Sequence, residues 1–138
     1  APGRAEVWAT LRTRRDERMA DFCASAETLA AGIAAEHGLT LRHDYHEIFV
    51  ASVNATDAVE HLRRALDDEG IVHTQDDLPM RASEDFGIFG HSAASAMLFL
   101  GAGERHPALH NPDYDFPDDL IPIGAKIFMR TARNLLGG

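Results

Sequence analysis

A chain of 138 residues with 45% hydrophobic and 25% charged side chains has room for one ordinary domain or for parts of two small ones. Its net charge of −9 argues against nucleic acid or an anionic membrane surface as a partner, since the basic residues, twelve Arg and one Lys, are scattered and not clustered. The single cysteine, Cys23, rules out an internal disulfide framework, and nothing reads as a signal peptide or a membrane span, so the cytoplasm is the expected compartment.

In chain order, residues 5–12 alternate Val7, Ala9 and Leu11 against Glu6, Trp8, Thr10 and Arg12, which predicts a strand. Thr13 to Asp16 has the spacing of a helix capping box. Met19, Phe22, Cys23, Ala26, Leu29, Ala30 and Ile33 then recur at three- and four-residue steps, as in an amphipathic helix stopped at Gly38. Residues 39–50 form a second extended candidate. Asn54 to Asp57 offers capping residues for a helix that carries Val59, Leu62, Ala65 and Leu66 and ends at Gly70. Residues 71–73 read as a short strand, 76–89 as an acidic loop, and 96–100 as a buried strand closed by Gly101-Ala102-Gly103. A last helix starts at Asp118 or Asp119, with Pro122 in its first turn and Ile123, Ile127, Phe128, Thr131 and Leu135 facing inward. This order of elements predicts a mixed α/β or α+β fold, with one boundary at Asn54. The N-terminal part is thin for an independent core, and the first strand begins almost at residue 1, so a further upstream segment is expected.

Eight histidines raise the question of metal. His43 and His46 lie three apart on an extended segment and so point to opposite faces. His37, His61, His73 and His91 have no second donor at a useful spacing. His106 and His110 would chelate on a helix, but Gly103 and Pro112 bracket them too closely for one. Structural zinc needs four close donors and a two-metal hydrolase needs still more, and spacing alone reveals neither. The run Ser83-Glu84-Asp85-Phe86 reads as a capping or turn cluster.

Four stretches together carry a resemblance: Met80 to Phe86 (MRASEDF), Leu98 to Gly103 (LFLGAG), Leu109 to Phe116 (LHNPDYDF) and Leu120 to Ala125 (LIPIGA). In order and spacing they resemble the C-terminal portion of the aminoacylase/carboxypeptidase amidohydrolases, the dinuclear metallohydrolases that include hippurate hydrolase and the auxin-conjugate hydrolases. The resemblance implies that residues 1–53 are the second half of a two-layer lid or dimerisation domain. Residues 54–138 would be the C-terminal part of an α/β zinc-hydrolase catalytic domain. It implies His110 as a ligand for zinc, manganese or nickel, and Arg12 as a receiver of a substrate carboxylate. Ala82 and Ser83 would lie beside the substrate, and Glu84, Asp85 and Asn111 would organise the loops. The parent enzyme would hydrolyse N-acyl amino acids or similar small amides and would dimerise through the lid. The family's remaining ligands and its catalytic glutamate have no counterpart on this chain, and Cys23 sits where it cannot replace one. The isolated chain is therefore expected to keep no metal and to be inactive; the alternative is a non-catalytic binding or dimerisation module.

Overall fold

A computed structural model describes residues 3–76, 78–82 and 84–137. Helix α1 spans Met19–Glu36, α2 spans Thr56–Asp68 and α3 spans Leu120–Leu136, with 3-10 turns at Asp16–Arg18 and Asp85–His91. The expected mixed α/β architecture does not form: among the described residues every regular element is helical and none is a strand. Strand propensity reports the fit of side chains to a pleated, half-buried surface, and a strand exists only through a neighbour's ladder. Residues 5–12, 39–50, 71–73 and 96–100 find no such ladder. Val7 and Val72 accordingly stay bare, at 93% and 97% exposed, whereas Ala96, Met97, Leu98 and Leu100 are half-buried without a ladder.

The chain divides into two compact units, Ala1–Ala51 with Ala82–Ile88, and Ser52–Arg81 with Phe89–Gly138. In the first, α1 ends as expected at Gly38, whose φ of 65° suits glycine. The Gly38 N–H donates to Ala35 O and the Leu39 N–H to Ala34 O, so the last carbonyls of the helix are satisfied. The expected capping box is absent. Thr13 Oγ1 donates to the Arg15 carbonyl, and Asp16 Oδ1 instead accepts the Ala51 N–H at 2.8 Å. Polar contacts also tie residues 39–50 to α1, because Tyr45 donates to Glu27 Oε1 at 2.8 Å. That hydrogen bond, ahead of desolvation, pushes the Tyr45 phenol above its ordinary range. No side chain of α1 is buried.

Gly87, within the Asp85–His91 turn, is buried against the backbone that follows residue 49. A Cβ there would lie 2.5 Å from Val50 O and 2.8 Å from Ala51 O, and neither carbonyl can swing away as a flexible side chain would. Gly87→Ala is therefore expected to destabilise the chain by about 1–3 kcal/mol, read as a lower midpoint in urea. A midpoint equal to wild type would show that the approach is not close.

The second unit is built on α2 packed against α3. Among its described residues the buried apolar ones are Ala65, Leu66 and Ile127. Gly70 closes α2 in the same way that Gly38 closes α1, with Gly70 N–H donating to Asp67 O and Ile71 N–H to Leu66 O. Of the capping residues expected before α2, Asp57 Oδ1 accepts the Ala58 N–H at 2.9 Å in the first turn, whereas Asn54 acts elsewhere. The Asn54 side chain donates to Met97 O at 3.0 Å and accepts from Met97 N–H at 2.9 Å, supplying one residue's share of the missing ladder.

Charge reinforces the helix pair. Glu69, just past α2 and with its side chain only 9% exposed, meets Lys126 Nζ at 2.7 Å and Arg130 Nε at 2.5 Å on α3. Asn134 Nδ2 donates to Asp68 Oδ2 one turn further along. The Lys126 ammonium first, and the Arg130 guanidinium second, hold the Glu69 carboxyl below its ordinary value. A carboxylate more acidic when folded than when unfolded stabilises the fold above its unfolded pKa of about 4.3. That contribution is lost as pH falls through the folded value. Glu69→Gln is thus expected to be less stable than wild type at pH 7, with the gap closing below about pH 4. A gap that stays constant from pH 7 to pH 3 in urea titrations would contradict this.

Candidate functional site

The stretch that follows Gly103 is a chain of tight turns. His106 N–H donates to Gly103 O, Asn111 N–H to Ala108 O and Tyr114 N–H to Asn111 O. Pro107, Pro112 and Pro117 keep the segment from coiling into a helix, so the four-residue spacing of His106 and His110 does not become one helical face. His110 stands exposed as the third residue of the second turn, with φ at 71°. A residue with a Cβ is uncommon in that left-handed region, although His is among the types found there more often than most. The imidazole is thus set at an apex where glycine would be the relaxed choice.

His106 and Tyr114 are half-buried and pack ring edge against ring face, with centroids 5.1 Å apart and planes at 71°. The His106 Nδ1 lies 3.0 Å from Pro107 O, which can only accept, so Nδ1–H is the donor in this contact. Sequence reasoning missed this pair. Its only trace is a seven-residue gap holding two prolines, and that gap does not reveal the turns that close it.

The other residues singled out by sequence fall as follows. Asn111 adjoins His110 in the second unit and takes part in two turns through its backbone. Arg12, Ala82, Glu84 and Asp85 belong to the first unit and are exposed. Asp85 opens the second 3-10 turn. Ser83 lies outside the described residues. Trp8, on the segment of Arg12, stacks on His46 with centroids 6.3 Å apart and 28° between the planes.

A divalent ion of the kind the resemblance implies is held by three or four donors, and a two-metal centre takes more. Among the described residues no three His, Cys, Asp or Glu side chains converge on a point that could hold an ion. The described residues of this chain therefore do not by themselves make up a metal centre. No helix of the described residues is long and apolar enough to cross a membrane.

Comparison with known proteins gave no significant match among curated proteins or solved structures. A family model described as peptidase family M20/M25/M40 does match, over residues 13–134. The match takes in α1, α2, α3 up to residue 134, the Asp85–His91 turn and the His110 loop. The family consists of metallohydrolases that use divalent cations. Since the match runs through most of the sequence, from three residues before the first 3-10 turn to the last turn of α3, this chain belongs to the M20/M25/M40 peptidase family.

Proposed function

We propose that this chain is one part of a metal-dependent amidohydrolase acting on N-acyl amino acids or similar small amides, and that it is inactive by itself. The observation that carries the reading is His110, an exposed imidazole held at a left-handed backbone position within the family match. In this reading His110 is one ligand for zinc, manganese or nickel, and polypeptide outside residues 1–138 supplies the other donors. One imidazole neither retains a divalent ion tightly nor provides the base that hydrolysis needs.

Arg12 receives the substrate carboxylate through its two-pronged guanidinium, which suits a planar anion better than an ammonium does. Ala82 and Ser83 lie beside the substrate, while Glu84, Asp85 and Asn111 organise the loops that carry the site. Residues 1–53 act as a lid and residues 54–138 as the catalytic portion, in the cytoplasm, with no nucleic-acid or membrane partner. Zinc titration tests the reading. The chain mixed with the ligand-bearing N-terminal part of a family member should bind zinc at least about tenfold more weakly when His110 is alanine. Equal affinity for both would refute the assignment.

A second reading, a non-catalytic module that pairs with another copy through residues 1–53, is favoured by the bare Val7, Trp8 and Ile48 of that unit. Sedimentation separates the two aspects: a dimer dispersed by Trp8→Asp would support the pairing, and a monomer at all concentrations would remove it.

A further inference from the structure

We propose that His106 and Tyr114 are positioning residues, a ring clasp that closes the base of the 103–116 loop and holds His110 at its apex. The proposal rests on the reading of His110 as a metal ligand and extends it to two residues that touch no ion. Between the two rings the chain runs exposed from Ala108 to Asp113, whereas His106, Pro107 and Tyr114 are half-buried. The ring contact is therefore the loop's own small core.

Three features make the clasp directional. The Nδ1–Pro107 O contact of 3.0 Å fixes which way the His106 ring faces, so its flank is presented to Tyr114 at 71° and 5.1 Å. The Tyr114 N–H bonds Asn111 O, and the Asn111 N–H bonds Ala108 O, so the ring contact is linked through two turns to the residues on either side of His110. His110 itself sits at φ 71°, a conformation that a free loop would leave readily, because a side-chain-bearing residue is more relaxed elsewhere. A loop ordered before its ligand arrives binds more tightly than one that must be ordered by binding. The clasp supplies that order.

Amide hydrogen exchange and zinc affinity test this with Tyr114→Ala, Tyr114→Phe and His106→Gln. In the chain alone, exchange at the Asn111 and Tyr114 amides should speed up roughly 3- to 10-fold in Tyr114→Ala and in His106→Gln. Tyr114→Phe keeps the ring and should keep the wild-type rate. The α2 and α3 amides should be unchanged in all three, which separates loss of the clasp from general unfolding. With the ligand-bearing segment of a family member added, zinc affinity should fall about tenfold in Tyr114→Ala and return in Tyr114→Phe. Wild-type exchange in Tyr114→Ala, or loss in Tyr114→Phe equal to that in Tyr114→Ala, would overturn the clasp. A His110→Ala chain that binds zinc like wild type would instead overturn the reading of His110, and the exchange rates would still decide whether the rings hold the loop.

Discussion

Replacing Ile127 by alanine is expected to lower the unfolding free energy of the chain by about 2–4 kcal/mol, the usual range for emptying a well-covered aliphatic site. Ile127 sits in the middle of α3 at 1% exposure, and it shares the buried apolar centre of its unit with Ala65 and Leu66 on α2. Ala65 has no side chain long enough to fill the space that three lost carbons would leave. A core this small makes the change a large fraction of the total, since folded domains keep only about 5–15 kcal/mol in reserve. The neighbouring Phe128 provides the internal control. Its ring is larger, but it is 68% exposed, so Phe128→Ala should change stability by no more than about 0.5–1 kcal/mol. Urea unfolding followed by circular dichroism reads both. Equal effects for the two variants would mean that α3 packs through a different face.

At His110 two substitutions should separate stability from function. His110→Gly is expected to be more stable than His110→Ala by about 1 kcal/mol, the reverse of their order in a helix. Alanine keeps a Cβ in the strained φ of 71°, whereas glycine occupies that region freely and loses only some unfolded-state entropy. Against wild type, His110→Gly should be neutral or up to about 1 kcal/mol more stable. Both variants lack the imidazole, so in the completed hydrolase both should lose at least about 100-fold in activity. A residue that lowers stability yet is needed for activity is placed there by function. If alanine proved as stable as glycine, the left-handed geometry of His110 would be wrong.

What could be read in the sequence was local. The limits of α1 and α2 follow from Gly38 and Gly70, whose positive φ lets the chain turn back over its own last carbonyls, and that event involves only six residues. The last helix was legible for the same reason, but its inward face was drawn too wide. Ile127 and Phe128 lie about 100° apart around a helix, and α2 covers the Ile127 side. The strands were misread because alternation at Val7, Ala9 and Leu11 or in residues 39–50 describes what a sheet would accept, not whether a partner strand is at hand. Capping groups were legible as residue types and not as partners: Asp16 reaches Ala51 and Asn54 reaches Met97, 35 and 43 residues away. The His110 loop was visible through its family-like motif and its prolines, while the His106–Tyr114 contact depends on turn geometry that no spacing rule encodes.

Amide hydrolysis by the completed enzyme tests the central claim most directly. The chain is mixed with the ligand-bearing N-terminal part of an M20 hydrolase in the presence of zinc, and release of amino acid from an N-acyl amino acid is followed. Wild-type chain should give turnover that neither polypeptide shows alone, and His110→Ala should abolish it while leaving the helical circular dichroism unchanged. Turnover by the isolated chain, or equal turnover with His110→Ala in the mixture, would contradict the account.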